Sequence, residues 1–299
     1  MRESSEKSSV EGYNGGMHRR AILTLSGAAF FLLNVVVWLF VLWPQSRVLT
    51  VSFLDVGQGD AIFIESPTGR QMLIDGGPDR SVLRELSKVM NPMDRSIDVV
   101  VETHPDADHV TGLAYVLDRY QIGAFMDPNR PADTEISEVV MDSALKEPGA
   151  RRIIGRAGER IDLGGGVYAD ILSPHGDVSQ LPTNNGSVVM RLVYGNTSFM
   201  LTGDLPSEIE DYLVAERRNT LKSDVLKAGH HGSKYSTDDA WLAAVHPALV
   251  VISAGKGNRY GHPNPETLAR IENEGAAIVS TIDEGTITLT SDGRTILGR

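Results

Sequence analysis

The apolar run Ile97 to Val101 leads straight into Thr103-His104-Pro105-Asp106-Ala107-Asp108-His109, so two imidazoles and two carboxylates fall within six positions at the end of a strand. Such a cluster cannot be buried in an apolar core, because each group would need a partner to offset its lost hydration. A divalent cation satisfies all four together. The chain has no cysteine, so thiolate ligands are excluded. Imidazole nitrogen with carboxylate oxygen suits zinc, manganese or iron better than magnesium or calcium. The competing explanation is that Asp106 or Asp108 caps a helix beginning near Val110. Capping accounts for one acid and leaves the other three groups unexplained.

Two further strand ends carry the same chemistry. Ser187 to Tyr194, a turn at Gly195-Asn196 and Phe199-Met200-Leu201 read as a β-hairpin, which ends in Thr202-Gly203-Asp204. The short run Val225-Leu226-Lys227-Ala228 stops at Gly229-His230-His231-Gly232-Ser233. Three distant segments thus deliver ligand types at strand tips, which is how a scaffold assembles a two-metal pocket. Elsewhere, strands are expected at 48–53, 61–65, 71–74, 124–126, 168–172 and 249–253, near Ala277 and at 285–289. Helices are expected at 80–90, up to Tyr120, and at 135–146, 206–219, 237–245 and 265–273. Asp60 and Asp75 also end apolar runs. Each reads either as a carboxylate that orients a metal-bound imidazole or as a turn residue beside its glycines.

Taken in order, the segments Phe53-Leu54-Asp55-Val56-Gly57-Gln58-Gly59-Asp60-Ala61, Leu73-Ile74-Asp75-Gly76-Gly77, the His104 cluster, Thr202-Gly203-Asp204, His230-His231-Gly232-Ser233 and Asn258-Arg259-Tyr260-Gly261-His262-Pro263 resemble the metallo-β-lactamase superfamily, and within it the ComEC competence-protein branch. The resemblance runs from about Thr50 to the C-terminus. It implies an α/β (α+β) fold, a four-layer αβ/βα sandwich with the site at one edge between two sheets. It also implies two divalent metal ions, zinc or manganese, with His104 and Asp106 on the first, Asp108 and His109 on the second, Asp204 bridging and His230 completing the second. His231 would contact the scissile phosphate, protonate the leaving alkoxide or serve as a first-site ligand. Ser233 and Lys234 would neutralise a substrate phosphate, and His262 would touch substrate. A surface loop is the plain alternative for His231 and Lys234. Asp106 stands where the common superfamily pattern has a second histidine, and no Gly-His-Thr segment precedes Asp204. Asn184, Asn185 and Ser187 occupy that stretch, with His175 a conceivable substitute ligand. His18 and His246 read as incidental.

At 299 residues, 41% hydrophobic and 22% charged, the chain can bury a core of that size as one catalytic domain, expected at 48–299. Residues 1–20 read as a disordered cytoplasmic tail, since Met1 to Gly16 are rich in Ser, Glu and Gly. Ala21 to Trp43 carries no charge, which is the length of a bilayer span. Leu42-Trp43-Pro44-Gln45 offers no small-residue cleavage site, so the segment reads as an uncleaved transmembrane anchor and not as a secretory signal. His18-Arg19-Arg20 place its N-terminal side in the cytoplasm and the enzyme outside, and Trp38 and Trp43 suit the interface. The formal charge of −11 argues against a broad basic nucleic-acid footprint. Arg151-Arg152, Arg156, Arg160, Arg217-Arg218 and Lys222 hint at one, and solvated helix or loop faces explain them equally.

The function expected is metal-dependent hydrolysis of a phosphodiester, with Asp108 and His231 as catalytic residues and a bridging hydroxide formed near neutral pH. Single-stranded DNA is the candidate polymer, linked to DNA uptake, and the membrane is engaged through the single N-terminal helix. No protein partner is inferable. The alternatives are hydrolysis of wall or lipid phosphodiesters, and a non-catalytic module that keeps its metal for stability or binding.

Overall fold

The computed structural model describes residues 22–38, 48–131 and 134–298. The chain divides into two units, Met1–Ser46 and Arg47–Arg299. In the first, residues 22–38 form helix α1, whose large apolar side chains, such as Phe30 and Leu33, are exposed. The expected tail and the two ends of the expected span lie outside the described residues. Among the described residues no helix is long and apolar enough to cross a membrane.

The second unit runs β1 (Leu49–Phe53), β2 (Ile62–Glu65), β3 (Gln71–Ile74), α2 (Ser81–Val89), β4 (Ser96–Val101), α3 (Ala107–Arg119), β5 (Gln121–Asp127), α4 (Glu135–Lys146), β6 (Arg151–Ile154), β7 (Arg160–Gly164), β8 (Val167–Ser173), β9 (Val189–Tyr194), β10 (Thr197–Leu201), α5 (Ser207–Arg217), β11 (Val225–Lys227), α6 (Asp239–Val245), β12 (Leu249–Ile252), α7 (Pro265–Glu274), β13 (Ala277–Ser280), α8 (Thr281–Glu284), β14 (Ile287–Ser291) and β15 (Ile296–Gly298). These strands build an eight-stranded sheet, β15-β14-β1-β2-β3-β4-β5-β6, and a seven-stranded sheet, β13-β12-β11-β10-β9-β8-β7. The last two strands return to the first sheet, where β14 pairs antiparallel with β1.

Alternation along each strand explains the layering. Val51, Phe53, Ile62, Ile64, Met72 and Ile74 face Met190, Leu192, Phe199 and Leu201 between the sheets. Phe63, Leu73 and Val100 point the other way, onto α2, α3 and α4, and Val189, Met200, Leu226 and Val250 onto α5, α6 and α7. Strands buried on both faces read as nearly continuous apolar runs, as 225–228 does apart from Lys227. The result is a two-sheet sandwich with a helical layer on each outer face.

β6 and β7 carry three of the arginines that hinted at a basic face, Arg151, Arg152 and Arg160. Arg152 makes a two-point pair with Asp127 on the neighbouring β5 (2.7 and 2.8 Å), and Arg160 one with Asp170 on β8. These two cations brace sheet edges. Lysine and arginine on such edges also block strand addition by another chain.

The parallel strands β3, β4 and β5 of one sheet and β10, β11 and β12 of the other are paired in register. Asp75, His104, Asp204, His230, His231 and Ser253 all follow the carboxyl ends of such strands, where open α/β sheets bind ligands.

Candidate metal centre

Close backbone approach brings the segments together. Gly59 sits at φ 142°, and a Cβ there would lie 2.1 Å from the carbonyl oxygen of Asp108. Only glycine lets the loop before β2 touch the first turn of α3. Asp108 is in that first turn, and neither Asp106 nor any other side chain caps the helix N-terminus. The competing capping role is therefore absent, and the acids are available to the cluster.

His109 Nε2 lies 3.3 Å from Asp204 Oδ1. His231 Nε2 lies 3.3 Å from Asp108 Oδ2 and 3.4 Å from Asp204 Oδ2. The same Asp204 Oδ2 lies 3.5 Å from His230 Nε2 and 4.0 Å from His104 Nε2, which is 3.6 Å from Asp106 Oδ2. The Nε2 atoms of His104, His109 and His231 and Asp204 Oδ1 are buried and make no hydrogen bond among the described residues. Converging polar atoms of that kind normally have partners. Two ligands placed ~2.0–2.2 Å from one tetrahedral ion stand roughly 3.3–3.6 Å apart, which matches this spacing. The donor set therefore fits a divalent cation.

The opposite nitrogens explain why Nε2 faces inward. His109 Nδ1 is 2.8 Å from Asp75 Oδ2, and His231 Nδ1 is 3.0 Å from the carbonyl oxygen of Ser253. Asp75 also accepts from Thr103 N–H at 2.8 Å and Thr103 Oγ1 at 2.7 Å. With its proton given to Asp75, Thr103 Oγ1 accepts from His104 Nδ1 at 3.0 Å. Each acceptor holds a proton on Nδ1 and leaves the Nε2 lone pair for a cation.

Asp60, His109, Asp204 and His231 offer ligand atoms all within 4.8 Å of one another. Asp60 nevertheless lies on the Nδ1 side, 3.4 Å from His231 Nδ1 and 3.9 Å from His109 Nδ1. It is ion-paired with fully buried Lys227. Its position is behind the imidazoles, whereas Asp108 and Asp204 stand in front. Lys227 Nζ donates to Gly203 O at 3.0 Å and lies 3.9 Å from Asp204 Oδ1, so one cation ties both sheets' loops. Lys227 was not singled out from the sequence. The signal was present, since a lysine inside a core strand must find a buried anion.

The two adjacent histidines diverge because both are left-handed, His230 at φ 46° and His231 at φ 56°. Non-glycine residues rarely adopt this conformation, and strain of this kind collects at functional sites. His231 is buried and joins Asp108, His109 and Asp204, the place the family pattern suggests for His230. His230 is half-buried and turns toward Asn184 Nδ2, 3.4 Å from its Nδ1. Asn185, expected near the site, instead bonds Glu208. Ser233 Oγ accepts from Tyr235 N–H, and Lys234 Nζ lies 4.9 Å over the Tyr235 ring. Among the described contacts neither reaches the cluster. His175 pairs with Glu216 at 3.0 Å on the surface. The His262 ring is 5.5 Å from that of His230, at the mouth.

Charge distributes unevenly. Burial, reinforced by His109, pushes His104 down to about 4. Burial opposes charge on His109 and His231 too, but Asp204, with Asp75 beside the first and Asp60 beside the second, outweighs it and holds both well above the usual range. Asp204 and Asp108 are held well below theirs, because neighbouring imidazoles overcome the burial that would raise them. The cluster demands positive charge, which protons or a cation can supply.

The Metallo-beta-lactamase superfamily model matches residues 54–256. The chain is 31% identical over 254 residues to ComE operon protein 3 of Bacillus subtilis (strain 168), covering 79% of this chain and 32% of that protein. It is 28% identical over 267 residues to Competence protein ComA of Neisseria gonorrhoeae, covering 89% of this chain and 34% of that one. It therefore spans about a third of the length of these relatives. The crystal structure of CmlA, a diiron beta-hydroxylase from Streptomyces venezuelae, superposes with a TM-score of 0.54 at 13% identity, over 83% of this chain and 55% of that one, and shares the fold alone. The chain belongs to the metallo-beta-lactamase superfamily, in the branch of the competence proteins.

Proposed function

We propose that this chain is a metal-dependent phosphodiesterase that acts outside the cytoplasm, with single-stranded DNA as its candidate polymer. The observation that carries the reading is the convergence of three imidazole Nε2 atoms and Asp204 Oδ1, all buried and without hydrogen bonds among the described residues. Asp108, His109, Asp204 and His231 would hold one cation, and His104, Asp106, Asp204 and His230 the other. His230 thereby takes the place of the imidazole missing from the 184–187 stretch, and Asn184 orients it. Two divalent ions, zinc or manganese, would polarise a phosphoryl oxygen and supply a water-derived nucleophile near neutral pH.

The protein's own groups prepare that chemistry. Asp75, Thr103 and Ser253 set the imidazole tautomers, and the Asp60–Lys227 pair buttresses both histidines from behind. His231, expected as an acid, has both nitrogens committed. His262 stands at the mouth, its ring 5.5 Å from that of His230, and it would hold or give a proton at the leaving oxygen. The uncharged sequence from Ala21 to Trp43 supports membrane anchoring of the hydrolase, and the similarity to a competence protein supports a link to DNA uptake.

Metal analysis of the purified chain, combined with assays on bis(p-nitrophenyl) phosphate and linear single-stranded DNA, tests this. Two ions per chain and metal-dependent cleavage abolished by Asp108→Ala are expected. Metal-independent cleavage, or cleavage that survives Asp108→Ala, refutes the mechanism. A tightly held ion without cleavage replaces it with a binding module.

A further inference from the structure

A groove of ≈ 460 Å³ runs from Asp108 past Gln58 and Thr111 to Arg259 and Tyr260. Tyr260 is 55% exposed at its far end. The loop that carries this ring is held rigidly. Asn258 Oδ1 accepts the N–H groups of Tyr260 at 3.1 Å and His262 at 3.0 Å, while Asn258 Nδ2 donates to Gly255 O at 2.9 Å. Gly261, at φ 70°, turns the chain back toward the cluster. Arg259 Nη2 donates to the Tyr260 hydroxyl at 2.8 Å, with its guanidinium carbon 4.9 Å from the ring centroid. The Tyr260 ring lies 5.9 Å from His262 at 27°, and His262 lies 5.5 Å from His230. A series of rings therefore leads from the candidate metal ligands out to solvent.

An exposed tyrosine anchored this firmly presents a fixed aromatic face beside a site built for phosphate. Bases stack on such faces irrespective of sequence, and an adjacent guanidinium adds cation–π attraction and a phosphate contact. A net charge of −11 gives little long-range pull on a polyanion, so local stacking must hold the strand. A duplex keeps its base faces stacked internally and cannot offer one without flipping it out.

We propose that Arg259 and Tyr260 form a stacking subsite for the base adjoining the scissile phosphate of a single-stranded nucleic acid. This rests on the phosphodiesterase reading above and adds its polymer specificity. The test uses the full chain with two single-stranded oligonucleotides of one backbone, one carrying bases throughout and one abasic beside the cleaved linkage. In manganese the wild type is expected to prefer the base-bearing strand by about tenfold or more in kcat/KM. Tyr260→Ala brings that ratio toward one, and Tyr260→Phe, which keeps the ring, preserves it. In EDTA, an oligonucleotide carrying 2-aminopurine is quenched on binding to the wild type and to Tyr260→Phe but not to Tyr260→Ala. A ratio and a quench that Tyr260→Ala leaves unmoved overturn the subsite while the phosphodiesterase stands. Cleavage of neither strand by metal-loaded wild type overturns both.

Discussion

Asp75 is the residue whose replacement separates site chemistry from fold most cleanly. Its carboxylate accepts three hydrogen bonds, from Thr103 N–H, Thr103 Oγ1 and His109 Nδ1, all at 2.7–2.8 Å. Its backbone is left-handed at φ 58°, a conformation asparagine tolerates well, so Asp75→Asn preserves shape and changes one acceptor into a donor. The backbone N–H of Thr103 cannot become an acceptor, so the amide oxygen must stay on Oδ1's side and the NH2 group replaces Oδ2. His109 Nδ1 must then accept, which moves its proton to Nε2, the nitrogen a cation needs. Thr103 Oγ1 must likewise accept from the amide and turn its hydrogen to His104 Nδ1, which inverts the second imidazole as well. Loss of such an orienting partner typically costs 10–100-fold in metal affinity, or ~1.4–2.7 kcal/mol per ion. Titration calorimetry with manganese or zinc should show this weakening for both ions, while a cooperative melt in EDTA shows that the variant is folded. Affinity within about twofold of wild type in a folded variant would refute the tautomer argument.

Lys227→Met takes from buried Asp60 its paired cation, leaving only the His231 and His109 imidazoles beside it, and should cost ~3–5 kcal/mol in denaturant unfolding, much of it recovered in the Lys227→Met, Asp60→Asn double variant. Gly59→Ala imposes a strained backbone, costing upward of ~1 kcal/mol, and drives a methyl into the Asp108 carbonyl, so the melting temperature and metal binding should fall together. His231→Asn should lose one ion and His230→Asn the other, read by metal analysis; equal loss of both ions in either variant counts against the division of the two histidines. In EDTA, stability should fall as pH rises from about 6 to about 9. His109 and His231 are raised above their ordinary value, so their contribution is complete below about 6.5 and is lost as pH climbs through the raised values. Burial with neighbouring acids pushes Glu102 up to about 8, and burial does the same to Glu210, so both act in the same direction. Over the same interval metal affinity should rise, because a cation must displace the protons on both imidazoles. A flat affinity profile would contradict the raised pKa values.

Much of the layered fold was legible because its cause is local. Strands such as 97–101 and 225–228 are apolar apart from one residue each, Asp98 and Lys227, and their polar and glycine boundaries mark where each stops. β6 and β15 carry arginine or glycine on short edges and show no alternation, whereas β7 does alternate over Arg160-Ile161-Asp162-Leu163 but is only five residues long and ends at the Gly164 turn. In the site, the His104 cluster, Asp204 and the paired histidines were identifiable as ligand types at strand ends. Lys227 was hidden by its apolar neighbours, and Asn184 was indistinguishable from Asn185 until a short 3-10 turn directed one to His230 and the other to Glu208.

The amino-acid order by itself determined which chemistries were available: imidazole and carboxylate without thiolate, delivered at the ends of buried strands, in a family whose motifs recur in sequence. Tertiary structure alone decided which nitrogen of each imidazole faces inward and which of His230 and His231 is buried beside Asp108 and Asp204. It also decided that Asp60 stands behind the cluster and not within it. These choices depend on acceptors brought from distant segments, Asp75 to His109 and Ser253 to His231, and on two consecutive left-handed residues. Spacing along a chain specifies which groups can meet; direction and protonation are set by the partners that packing places on their far side.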